Sequence, residues 1–187
     1  MRPVASEGNK GAALKGSTAF KRNLALWGGC AFLWFVLDRV TKAVIDGRYS
    51  VGDVLASDIF GLVQINLVHN RGVAWGAFSG AVPAISVVTA LMCAAIAAFA
   101  VYSAKQYGKP EAIALGLLFA GGIGNLFDRI VNGYVVDFIT PLFIDFPTFN
   151  VADIGVTCGI ALLFIALLVQ MAKEVKACDA GDTGEKE

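Results

Sequence analysis

Four apolar stretches divide the chain. Asn23–Leu37 carries no charged residue, and its apolar character continues past Asp38 to Ile45. Gly72–Ala104, Ala112–Phe127 and Ile154–Ala172 are also free of Asp, Glu, Lys and Arg. A helix needs about 20 predominantly apolar residues to cross a bilayer core. The second and fourth stretches meet that length outright. The first and third reach it only by including Asp38, Arg39 and Lys42, or Asp128 and Arg129. Ionisable groups at that depth are costly and mark function by default. The pattern predicts an all-α membrane protein with four transmembrane helices near 23–45, 81–104, 111–130 and 151–172. Between the first two, at 46–70, Tyr49-Ser-Val, Ile59-Phe60 and Leu62-Val-Gln-Ile-Asn-Leu-Val have strand character interrupted by Gly52 and Gly61. Tyr134-Val-Val-Asp-Phe-Ile predicts another short strand, and Pro141 and Pro147 break the chain before the last helix.

Lys and Arg set the expected orientation. They lie in the N-terminal tail (Arg2, Lys10, Lys15, Lys21, Arg22), in the loop between spans two and three (Lys105, Lys109), and in the C-terminal tail (Lys173, Lys176, Lys186). Four spans put all three groups on one side, so both termini are expected in the cytoplasm. The first span lacks a small-x-small cleavage site and is expected to stay as an anchor rather than be removed. The polar ends, 1–18 and 178–187, are expected to be unordered. The tails are assigned to 1–22 and 174–187, around a membrane domain at 23–173.

Composition narrows the chemistry. The 187 residues are 57% hydrophobic, with 15 basic and 15 acidic side chains. No basic surface points to nucleic acid. Cys30, Cys93, Cys158 and Cys178 form no CxxC pair, which argues against a zinc site or a disulfide framework and reads as buried small hydrophobes. His69 has no partner histidine and reads as an interfacial loop residue.

Alternating topology brings the unusual polar residues to one face. Asp38 and Lys42 close span one; Asn66, Asn70 and Arg71 precede span two. Asn125, Asp128 and Arg129 close span three, and Asn150 and Asp153 open span four. Each has a plain structural reading. Asp38 and Lys42 have the i, i+4 spacing of a helix ion pair. Asn150 and Asp153 have the spacing of a helix cap. Asp128-Arg129 is a possible interfacial pair with a snorkelling Arg, and Gly121-Gly-Ile-Gly124 a close helix contact. Asp137 is harder to set aside, because it lies between Val135-Val136 and Phe138-Ile139 with no adjacent base. Two aspartates sharing one proton hydrolyse peptides without a metal or a serine nucleophile. Asp137 and Asp153 are the candidates. A small transporter or a Mg²⁺-dependent lipid-headgroup transferase would also use acids near a bilayer. No inverted repeat supports the former, and a chelator test separates the latter.

Five blocks in order resemble one family. They are Asp38-Arg-Val-Thr-Lys42, Asn70-Arg-Gly-Val-Ala-Trp-Gly76, Gly121-Gly-Ile-Gly-Asn-Leu-Phe-Asp-Arg129, Gly133-Tyr-Val-Val-Asp-Phe138 and Phe149-Asn-Val-Ala-Asp153. Over about 24–169 the chain resembles the bacterial lipoprotein signal peptidases (signal peptidase II). The resemblance implies a monomeric aspartic endopeptidase of the inner membrane with a periplasmic β-cradle and no cofactor or metal. Its expected partners are membrane lipids, the inhibitor globomycin, and prolipoproteins cut just before a diacylglyceryl-modified cysteine. It implies that Asp137 and Asp153 are catalytic. It further implies that Asp38, Lys42, Asn70, Gly72, Asn125, Asp128, Arg129 and Asn150 shape the site. Trp75 stands where Phe is expected, and the N-terminal tail is longer than usual.

Overall fold

The computed structural model describes residues 6–72 and 80–182. Trp75 and the rest of 73–79 lie outside the described residues. Four helices and three strands follow in the order α1 (Ser6–Asp46), β1 (Val54–Ile59), β2 (Val63–Asn70), α2 (Val82–Tyr102), α3 (Lys109–Val131), β3 (Val135–Pro141) and α4 (Val151–Asp182). All four helices are long and apolar enough to cross a membrane, as the sequence pattern predicts.

Helix ends follow local chemistry. Gly80 at φ 93° and Pro83 in the first turn mark the start of α2 at Val82. The N-terminal turn of α3 holds Pro110 and Glu111, and its last turn holds Arg129, charges that complement the helix dipole. Helix continues through Ser6–Thr18 and Cys178–Asp182, where the polar composition predicts unordered tails. Good helix formers such as Glu7, Lys10, Ala12, Ala13 and Leu14 extend a helix that the span has already nucleated.

Helix α3 is the centre of the bundle and packs against α1, α2 and α4. Small residues permit this. A side chain at Gly121 would collide with the Ala152 carbonyl and Val156 of α4. One at Gly116 would come within 2.8 Å of the Trp27 carbonyl of α1. Trp34 of α1 covers Gly155 and donates its indole N–H to the Val151 carbonyl at 3.0 Å. At the opposite end of the bundle, Asn23 donates to the carbonyls of Ala104 and Tyr107 and ties α1 to the α2–α3 loop.

The strands form an antiparallel sheet in the order β1-β2-β3. Leu67, Val136 and Phe138 form its buried face, with Ile45 of α1 and Val151 of α4 packed against them. The sheet therefore rests on the end of the bundle where α1 finishes and α4 begins. Phe60 and Gly61, both at positive φ, make the β1–β2 turn, closed by Leu62 N–H to the Ile59 carbonyl at 3.0 Å. Positive φ at both central residues is the two-residue hairpin geometry that matches strand twist. The expected strand at Tyr49–Val51 is a turn instead. Gly52 sits at φ 92°, and Asp53 accepts the Ser50 N–H at 2.8 Å, so the strand starts at Val54.

Candidate active site

Two polar layers meet where α1, α3, α4 and the sheet converge. The inner layer is ionic. Asp38, Lys42 and Asp128 are buried. The Lys42 ammonium lies 3.1 Å from Asp38 Oδ1 and 2.9 Å from Asp128 Oδ2. The Arg39 guanidinium spans the same two acids, 2.7 Å from Asp38 Oδ2 and 2.7 Å from Asp128 Oδ1. Two cations thus face two anions, the condition under which burial of charge is tolerable. The expected Asp38–Lys42 pair is present, but it is half of a four-membered cluster. Asp128 pairs with Arg39 and Lys42 of α1, not with Arg129. Gly124 makes room for this, since a Cβ there would stand 2.7 Å from Asp38 Oδ2.

The second layer is built from carboxamides. Asn125 Oδ1 accepts from Lys42 Nζ at 2.9 Å and from Asn150 Nδ2 at 3.0 Å. With its oxygen fixed by those donors, its Nδ2 must face Asp153, and it donates to Asp153 Oδ1 at 2.7 Å. Asn150 Nδ2 also donates to Asp137 Oδ1 at 2.6 Å, and Asn70 Nδ2 to Asp137 Oδ2 at 2.9 Å. A continuous hydrogen-bonded path therefore joins the two aspartates through Asn150 and Asn125.

Asp153 occupies the third position of α4. It accepts the Asn150 N–H through Oδ2 at 3.1 Å, while Asn150 Oδ1 accepts the Asp153 N–H at 3.1 Å. This is a reciprocal capping box. The capping reading and the site reading of Asp153 are thus both satisfied by one conformation. Asp137 is 2% exposed in the middle of β3. Burial and the nearby Asp153 charge push its carboxyl from the ordinary range up to about 7, against the opposing pull of the Asn70 and Asn150 hydrogen bonds.

Gly72 and Arg129 complete the group. Gly72 donates its N–H to Asn70 Oδ1 at 2.9 Å, and its carbonyl accepts from Arg129 at 3.1 Å. Every residue predicted for the site is therefore gathered in one region. Both aspartates line a cavity of about 520 Å³ with Asn70, Asn125 and Arg129, whose apolar walls include Phe146, Phe149 and Ile154. A membrane-end pocket of that size has room for an extended peptide segment beside apolar groups.

Two further expectations differ from the structure. His69 is a strand residue of β2 rather than a loop residue; it stacks on Tyr134 with 3.7 Å between ring centroids and lies 2.6 Å from Asp46 Oδ1. Of Cys30, Cys93 and Cys158 only Cys93 is buried; Cys30 is partly exposed, and Cys158 is exposed on α4 at the cavity wall. The sequence marks Arg39 only as a charge within the first span and does not bring it into the site. Adjacent residues on a helix do not face each other, so its contact with Asp38 had no signal in spacing.

The match with known proteins covers most of this architecture. Residues 30–169 match the family described as signal peptidase (SPase) II. The lipoprotein signal peptidase of Staphylococcus aureus (strain Newman) is 40% identical over 147 residues, 75% of this chain and 89% of that protein. The Staphylococcus haemolyticus lipoprotein signal peptidase is 40% identical over 135 residues, 71% and 84% of the two chains. A bacterial membrane enzyme solved by the in meso method at 2.3 Å resolution superimposes with a TM-score of 0.71 at 37% identity, covering 77% of this chain and 88% of that one. A second, at 1.9 Å resolution, gives 0.67 at 38% identity, with coverages of 74% and 90%.

Proposed function

Because this chain belongs to the signal peptidase II family, the lipoprotein signal peptidases that act on prolipoproteins, we propose that Asp137 and Asp153 are its catalytic pair. The carrying observation is that both acids line one cavity and are joined through Asn150 and Asn125. The pair holds one proton near neutral pH, and it rests on Asp137. Each Asp137 oxygen already accepts one hydrogen bond and keeps a lone pair to carry the proton. Asp153, held by Asn125 and the Asn150 N–H, is the ionised partner.

A water between the carboxyls loses its proton to Asp153 as it attacks the scissile carbonyl carbon, while Asp137 donates to the carbonyl oxygen. The tetrahedral diol then collapses. The C–N bond breaks, Asp153 passes its proton to the departing amine, and the carbonyl re-forms as a hydroxyl proton returns to Asp137. The products are the signal peptide carboxylate and a lipoprotein whose new N-terminus is the amine of its cysteine. Turnover is expected to follow a bell against pH, since losing or gaining a proton leaves the pair without one of its two roles. A pH–rate profile of the purified enzyme checks this, and a flat profile between pH 4 and 9 would contradict it.

The apolar wall beside the acids supports a substrate bearing diacylglyceryl on the cysteine that follows the scissile bond, with globomycin competing for the same cavity. The test compares a lipidated lipobox peptide with its unmodified form. Cleavage is expected of the lipidated peptide alone, just before the cysteine; equal rates on both would overturn the lipid requirement. We place both termini in the cytoplasm and the site at the periplasmic face, from the distribution of Lys and Arg. Reporter fusions at Lys109 and after Lys173 are expected to read cytoplasmic, and one at Asp145 periplasmic. A cytoplasmic reading at Asp145 would invert this orientation. The enzyme is proposed to act as a monomer, which its mass in detergent by light scattering will decide.

A further inference from the structure

The ionic cluster holds more than side chains. Asp38 Oδ1 accepts the backbone N–H of Ala152 at 3.0 Å, and Asp128 Oδ2 accepts the backbone N–H of Val136 at 3.2 Å. Ala152 immediately precedes Asp153, and Val136 immediately precedes Asp137. The residue before each aspartate of the site is thus held through its backbone N–H by a buried carboxylate. Those carboxylates come from different helices, α1 and α3. Besides Lys42, the Arg39 guanidinium, which is not among the residues lining the cavity, ties them together: it reaches Asp38 through Nε and one terminal nitrogen, and Asp128 through the other. Phe35 and Phe127 flank it, 5.8 and 4.9 Å from ring centroid to guanidinium carbon. It is therefore fixed in place rather than free to follow either acid.

We propose that Arg39 is a positioning residue for peptide cleavage, which sets the separation of Asp137 and Asp153 by locking the two carboxylates that hold their backbones. This rests on the assignment of those aspartates as the catalytic pair. Lys42 also touches both acids, but as a point charge that donates to Asn125 as well. The planar fork of Arg39 alone fixes distance and angle together. A pair that must share a proton and a water tolerates little displacement, and a shift of about 1 Å costs roughly 10²-fold in rate.

Two substitutions separate positioning from charge. Arg39→Lys keeps the cation and loses the fork. Arg39→Gln loses both and leaves the cluster with one uncompensated negative charge. The other ionisable groups that act on the pair are Asp38 and Lys42 from α1 and Arg129 from α3. In the purified full-length enzyme with a lipidated lipobox peptide, Arg39→Gln is expected to lower kcat about 100-fold with KM nearly unchanged. Its pH–rate bell should move up by roughly half a unit, because the added negative charge holds the shared proton more tightly. Arg39→Lys is expected to keep the wild-type bell and still lose about 10-fold in kcat. If the Gln variant does not fold, the Lys variant carries the test. Wild-type kcat in folded Arg39→Lys overturns the proposal. So does a loss in Arg39→Gln that matches the unfolded fraction and leaves the bell unmoved. Asp137→Asn and Asp153→Asn run in the same assay: activity in either sinks the catalytic assignment itself, whereas inactive Asn variants beside normal Arg39 variants sink only the positioning role.

Discussion

Asp137→Asn and Asp153→Asn are each expected to lower turnover by about 10³-fold or more while the protein still inserts and still binds globomycin. Asn has the size of Asp but cannot exchange the proton that the proposed chemistry passes between the two groups. The alternatives predict otherwise. Asp153 closes a capping box with Asn150. Were that its only role, Asn would serve nearly as well, at a cost of about 1 kcal/mol for the weakened contact. Asp137 supplies a second signature through stability. Its folded-state value near 7 lies above that of an unfolded carboxyl. Between about pH 4 and 7 the folded chain therefore binds more protons than the unfolded chain, so wild-type stability from this group falls as pH rises through that window. Asn does not titrate. The stability of Asp137→Asn relative to wild type is thus expected to improve from pH 4 to pH 8, read as the difference in melting temperature at the two pH values. Near-wild-type turnover on folded protein, or a melting difference independent of pH, would remove Asp137 from the assignment.

The spans and the gathering of polar residues at one end were legible because the bilayer imposes a coarse rule. Long charge-free runs must cross, and residues such as Asn125 and Asn150 at the ends of such runs then fall together. Asp38 and Lys42 were readable as a pair because i, i+4 positions share a helix face. What spacing could not reveal was three-dimensional. Asp128 turns toward α1 rather than toward Arg129 because Gly124 lets the helices close on each other. Arg39 joins acids from two helices although it neighbours one of them in sequence. The β1 strand was misplaced because Tyr49–Val51 has strand-forming side chains but is followed by a left-handed Gly52. The dual role of Asn150, as cap and as bridge between the aspartates, follows from tertiary contacts that no local pattern contains.

Lys42→Met is expected to cost about 3–5 kcal/mol of stability, the range for removing one partner of a buried charge group. Lys42 is 2% exposed, so no water can replace its contacts with Asp38 and Asp128. Met fills much of the same space, which leaves charge rather than volume as the cause of the loss. Activity should fall beyond what the lost stability explains. Lys42 is one of the two donors that fix the oxygen of Asn125, and without it only Asn150 holds the carboxamide with its nitrogen toward Asp153. A double-mutant cycle with Asp38→Asn measures the part that belongs to the pair. Removing the acid as well restores charge balance, since Arg39 then faces Asp128 alone. The double variant is therefore expected to be more stable than the sum of the single losses by about 1–3 kcal/mol. Thermal unfolding in a lipid-mimetic detergent, with turnover of the lipidated peptide measured on the same samples, provides both numbers. Strictly additive losses would mean that Asp38 and Lys42 act separately, and an unchanged melting temperature for Lys42→Met would mean that the buried cluster does not hold this end of the bundle together.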